Sequence, residues 1–185
     1  MLLATFVQNH HPMKPLLLLL TLLLFSCETK EKATPVAEEA MQTTTYFLIR
    51  HAEKEIHNPD DKNPNLTEEG KKRAKQWAAL FSEIELDAIY STNTLRTIAT
   101  ATPTAETKNL EVIRYESQPN HIEKLLADTA GKTVLIVGHS NTLHNIANTI
   151  IGEEKYLELP ESDYSNLFVL VRQGISVKDI VLKVD

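Results

Sequence analysis

Three apolar runs in this chain stop on residues that can hold and attack an anion. Tyr46-Phe47-Leu48-Ile49 stops on Arg50 and His51, and Lys132 to Val137 stops on Gly138-His139-Ser140-Asn141. Between them, Leu86 to Tyr90 stops on Ser91-Thr92-Asn93, with Arg96 following closely. Each run reads as a short buried strand, and each stop as the turn into a loop or helix. In an open sheet of parallel strands such ends gather along one edge, where α/β proteins bind their ligands. Two guanidinium groups and two imidazoles with no thiolate beside them form a densely cationic pocket, suited to a phosphoryl dianion. The helix beginning at Ser140 adds free backbone N–H groups at the same place.

The sequence between these stops supplies the elements that must position them. EIHNPDDKNPN, after the first run, is an exposed loop by its Asn, Asp and Pro content. Thr67 then caps a helix whose first turn holds Glu68 and Glu69, favourable beside the positive helix end. Ala74, Trp77, Ala78 and Phe81 form its apolar face, while Lys71, Lys72, Arg73 and Lys75 read as a solvated face. A second helix is expected from about Thr94 to Thr102, stopped near Pro103, with Arg96 on its first turn. Val112-Ile113 is a weak strand, and Asn120 to Ala130 a helix ended by Gly131. The helix from Ser140 to Ile151 buries Leu143, Ile146, Ala147 and Ile150 and closes at Gly152. Leu167 to Arg172 and Ile175 to Val184 are two last strands joined around Gln173-Gly174. This alternation predicts the α/β class: a three-layer αβα sandwich with a mostly parallel central sheet and an antiparallel edge.

A chain of 185 residues has room for one domain with a sizeable core, and 24% charged with 42% hydrophobic residues describe an ordinary globule. The net charge of −6 argues against a general nucleic-acid binder, so a bound anion must be held by a local cationic cluster. The single cysteine, Cys27, excludes an intrachain disulfide and a thiolate metal cage.

Cys27 has another use. Leu16 to Phe25, broken only by Thr21, is too short to span a membrane but suits the core of a signal peptide, with Lys14 before it and Leu24-Phe25-Ser26-Cys27 closing it. The pattern resembles a bacterial lipoprotein signal, which implies cleavage before Cys27 and lipid attachment to it. Residues 1–26 are therefore read as the signal, 27–44 as a polar tether reaching roughly 20 to 25 Å, and 45–185 as the folded domain. The expected location is the cell envelope, anchored to a membrane. Met13-Lys14 begins a compact signal of conventional form, which makes Met13 the expected translation start rather than Met1.

The strand-end residues also resemble a known family. LIRHAEK is similar to the signature of the histidine phosphatase superfamily, the phosphoglycerate mutase-like fold, whose strand end reads Arg-His-Gly or Arg-His-Ala. NLTEEGKKRA resembles the Leu-Thr-x-x-Gly segment that follows, STNTLRTIATA the stretch leading to a second arginine, and VGHSN the second histidine motif. The resemblance implies a covalent mechanism in which His51 attacks phosphorus while Arg50, Arg96 and His139 neutralise the phosphoryl oxygens, without a metal or other cofactor. It further implies a carboxylic acid after the second arginine; Glu116 is the candidate, with Glu106 and Glu111 less well placed. Glu53, Ser140 and Asn141 are expected to shape the substrate site, and His57 stands where the family carries Asn. The expected partner is a small phosphorylated substrate.

Two other readings use the same residues. As metal ligands, His139 and His144 would have to share a helix face, but a spacing of five sets them about 140° apart. A lipoprotein that binds a phosphorylated ligand without turning it over would need the whole pocket except the acid.

Overall fold

The computed structural model describes residues 42–184. The expected signal, Cys27 and nearly all of the expected tether lie outside the described residues. Strand β1 spans Thr43–Arg50, so Thr43 and Thr44 belong to the sheet and not to the tether. Thr44 explains why: it is buried, and its hydroxyl accepts the N–H of Gly131 at 2.8 Å.

The remaining elements are α1 (Glu68–Leu80), β2 (Ala88–Thr92), α2 (Leu95–Lys108), β3 (Val112–Tyr115), α3 (Pro119–Asp128), β4 (Thr133–Gly138), α4 (Ser140–Ile151), β5 (Asn166–Gln173) and β6 (Ser176–Lys183). The six strands lie in the order β3-β2-β4-β1-β5-β6. The first four in the chain run parallel, while β5 runs antiparallel to both β1 and β6. The antiparallel edge is thus a hairpin turning at Gly174, whose φ of 59° suits glycine.

Strand alternation sends each long strand's side chains to both faces, which is why these runs are continuously apolar. Tyr46, Leu48, Val134 and Ile136 pack with Ile122, Leu125, Leu143 and Ile146 of α3 and α4. Phe47, Ile49, Leu135 and Val137 pack with Trp77, Phe81, Ala101 and Ala105 on the side of α1 and α2. Two cores, one on each face, make the three layers.

The second helix departs from expectation. It runs to Lys108, straight through Pro103. Proline removes one helical hydrogen bond, but Thr97, Thr100, Ala101, Thr104 and Ala105 are all buried along one side of this helix. Burial on both sides of Pro103 outweighs the local break, so tertiary packing carries the helix onward.

Candidate active site

The register of the central strands decides which residues meet. Arg50 lies opposite Gly138 across the β1–β4 pair, and the N–H of His51 donates to the Gly138 carbonyl at 2.9 Å. On the other side of β4, Ser91 lies opposite Val137, which brings Thr92 beside His139. His51 and His139 then face each other edge to face, their ring centroids 5.4 Å apart. Arg96, on the first turn of α2, reaches back so that Nη2 lies 3.5 Å from His139 Nδ1.

Hydrogen bonds fix the proton on each imidazole. His51 Nδ1 lies 2.8 Å from the carbonyl of Ala52. A carbonyl can only accept, so Nδ1 carries the hydrogen and Nε2 keeps its lone pair. Among the described residues, no hydrogen bond engages that Nε2. Burial, with the charges of Arg50, His139 and Arg96, lowers the His51 pKa to about 3 against the opposing pull of the Ala52 bond. His51 is therefore a neutral imidazole with a free nucleophilic nitrogen.

His139 is arranged the other way round. A guanidinium can only donate, so Nδ1 accepts from Arg96, and the Nε2 hydrogen goes to Thr92 Oγ1 at 2.8 Å. Thr92 passes its own hydroxyl hydrogen to Thr97, and Thr97 donates to the Thr92 carbonyl. Burial and then Arg96 lower the His139 pKa to about 4.

Arg50 is 1% exposed, yet it is held on three sides. Its Nη1 donates to the carbonyls of Pro160, Glu161 and Asp163, its Nη2 to a carboxylate oxygen of Glu161, and its carbon lies 4.3 Å above the Tyr164 ring. Three guanidinium nitrogens, Arg50 Nε and Arg96 Nε and Nη1, are buried with no protein partner among the described residues. Buried donors of this kind call for an acceptor. A phosphoryl group beside His51 Nε2 would supply one, between two guanidinium groups already held in place.

Residues 46–117 match the family model for the histidine phosphatase superfamily (branch 1). The strand-end motif of Arg50 and His51 and the segment carrying Arg96 both lie inside the part of the chain that this family model matches. Over 75 residues it is 49% identical to phosphoserine phosphatase 1 of Hydrogenobacter thermophilus, covering 38% of this chain and 35% of that protein. The match thus spans about a third of that curated relative's length. Among solved structures, YhfR of Bacillus stearothermophilus superposes with a TM-score of 0.62 at 17% identity, over 77% of this chain and 98% of that one. The protein histidine phosphatase SixA complexed with tungstate superposes with a TM-score of 0.60 at 17% identity, over 75% and 96%. These superpositions establish a shared fold.

The superfamily segments lock together through backbone contacts. A Cβ on Gly70 would lie 2.2 Å from the Glu53 carbonyl, so only glycine lets α1 come this close to the chain after His51. Thr67 N–H donates to that same carbonyl at 2.9 Å. Thr100 ties the two arginine segments together: its hydroxyl accepts the N–H of Ala52 at 2.9 Å and donates to the carbonyl of Arg96 at 2.7 Å.

Arg50, His51, Arg96 and His139 are thus brought together, and Ser140 lies buried beside them, its hydroxyl donating to Glu161. Glu53 turns away to pair with Arg73 at 2.7 Å, which takes Arg73 out of the expected solvated face. Besides Glu53, three expected site residues are not gathered into the ring. His57 is exposed on its loop, and Asn141 is exposed on the first turn of α4. Glu116 is exposed and pairs with His121 at 3.2 Å. The sheet order explains Glu116: β3 is three places from β1, about 14 Å at the usual strand spacing.

Glu161, Tyr164 and Lys54 complete the site without having been assigned from sequence. Glu161 and Tyr164 sit in 152–165, a stretch with no helix or strand, and nothing in LPESDYS separates them from an ordinary surface loop. Lys54 follows the strand-end motif, and its Nζ lies 3.6 Å from Glu161. A cavity of about 530 Å³ at the opposite end of the sheet, beside Thr44 and Gly131, holds none of these groups.

Proposed function

We propose that the protein is a hydrolase that cleaves phosphomonoesters through a phosphohistidine on His51. His51 Nε2 attacks phosphorus; the P–N bond forms as the ester P–O bond breaks, and the leaving oxygen takes a proton. Water then attacks phosphorus, the P–N bond breaks, and inorganic phosphate departs. Arg50 and Arg96 hold the phosphoryl oxygens through both steps, His139 joins them by taking a proton on Nδ1 as the dianion binds, and the start of α4 at Ser140 faces the same group. In this reading Glu116 leaves its pair with His121 and swings toward the ring to protonate the leaving oxygen, while His57, Asn141 and the Glu53–Arg73 pair border the part of the substrate outside the ring. No step calls for a metal.

The observation that carries this reading is the neutral His51, its hydrogen committed to Ala52 and its other nitrogen free. The relative named for phosphoserine supports a phosphomonoester as substrate. Acid-labile labelling of the purified chain by a 32P-phosphomonoester, lost in His51→Ala together with turnover, is the expected result. Binding without label or turnover would leave a phospho-ligand-binding protein instead. Turnover of a phosphohistidine peptide but of no ester would make it a protein phosphohistidine phosphatase, a reading that the SixA-like fold favours.

In the same proposal the protein is exported and held at a membrane of the bacterial envelope by lipid on Cys27. Its support is the apolar run from Leu16 closing on Leu24-Phe25-Ser26-Cys27. Radiolabelled fatty acid is expected in the full-length protein and not in Cys27→Ser.

A further inference from the structure

One carboxylate already lies where the site would hold an anion. Glu161 Oε2 accepts from Arg50 Nη2 at 2.9 Å and lies 3.6 Å from Lys54 Nζ, while Oε1 accepts the hydroxyl of Ser140 at the start of α4. Arg50 and Ser140 are groups that the proposed function gives to the phosphoryl oxygens. The contact leaves the carboxyl below its usual range, chiefly through the Ser140 hydroxyl and then the Arg50 and Lys54 charges. Its side chain is nevertheless 67% exposed, against 1% for Arg50.

We propose that Glu161 is a displaceable occupant of the phosphoryl site, an internal carboxylate that an incoming phosphate must push aside and that thereby selects which anions enter. The inference rests on the reading of this pocket as a phosphoryl site. Two features make displacement cheap for the protein. The exposed side chain can swing into solvent, and the carbonyls of Pro160, Glu161 and Asp163 keep Arg50 in place when it does. A third feature makes it selective. Glu161 leaves Arg50 Nε and Arg96 Nε and Nη1 without partners, whereas a phosphoryl group has enough oxygens to reach these donors as well as Nη2. A free carboxylate brings two oxygens where a phosphoryl group brings three, and to take the Arg50 Nη2 and Ser140 contacts it must displace a tethered group of its own kind that is favoured by its effective concentration. Phosphoryl dianions therefore enter, and simple carboxylates are kept out.

Isothermal titration of inorganic phosphate into the full chain, Glu161→Gln and Glu161→Ala tests this. Both variants are expected to bind phosphate about fivefold to tenfold more tightly, the weight of one partly exposed charge-assisted contact. The Michaelis constant for a phosphomonoester should fall in parallel. The two variants guard against a folding artefact, since Gln keeps the shape of the side chain and Ala removes every contact it makes. Unchanged or weaker phosphate binding in both would overturn the role given to Glu161 while leaving the phosphoryl site standing. Absence of binding to all three proteins would remove the phosphoryl site itself, and this inference with it.

Discussion

The two halves of the site are held by different means. Residues 46–105 hold their part through close backbone approaches: Gly70 against the Glu53 carbonyl, Ala52 N–H to Thr100, and Thr97 to the Thr92 carbonyl. Residues 138–165 hold theirs through a helix start and a loop whose carbonyls embrace Arg50. The first half depends on particular residue types, because only glycine, or only a hydroxyl, satisfies the geometry. The second depends on chain shape, because any residue has a carbonyl. Changes in the first half should therefore be the more costly, and the superfamily match covering residues 46–117 falls on that half.

The largest effect that would sharpen this contrast is expected at Arg96. Arg96→Ala removes two unpartnered buried donors and the bond to His139, and should lower kcat for an ester by about 3 to 4 kcal/mol in barrier. A loss of less than tenfold would mean that Arg50 alone holds the phosphoryl group. Next comes a pair of glycines, one in each half. Gly70→Ala should destabilise the fold by about 1 to 3 kcal/mol, because its Cβ would strike backbone. Gly152→Ala meets open space and should cost about 1 kcal/mol or less, from its φ of 86° alone. Chemical denaturation of both variants decides the order, and equal costs would break the comparison.

The histidines give a pH test across the two halves. Their pKa values lie at about 3 and about 4 in the fold against 6.5 for an ordinary histidine. The unfolded chain thus binds more protons between these limits, so stability must fall as pH drops below about 6.5, and keep falling to about pH 3. Each histidine contributes about 1.4 kcal/mol per pH unit at most. Imidazole NMR signals of His51 and His139 should report neutral rings down to about pH 5, and titration of either near 6.5 would contradict the burial described. The smallest effect belongs to Glu116, outside both clusters. Glu116→Ala should slow alkyl esters several-fold more than aryl ones, since poor leaving groups need the proton most. Equal losses on both would remove it from that role.

Sequence alone determined the strands, the helix starts and the identity of the two arginines and two histidines at the strand ends. Apolar runs buried on both faces, a Thr67 cap and the closing Gly152 are local instructions, written in residues next to the elements they control. Tertiary structure decided what no local pattern encodes. Whether α2 ends at Pro103 was settled by the core beneath it, and how far Glu116 lies from His51 by the order of strands. That Glu161 and Tyr164 meet Arg50 was decided by a loop folding back across 111 and 114 positions of chain, where proximity follows from the path of the backbone and residue type gives no sign of it.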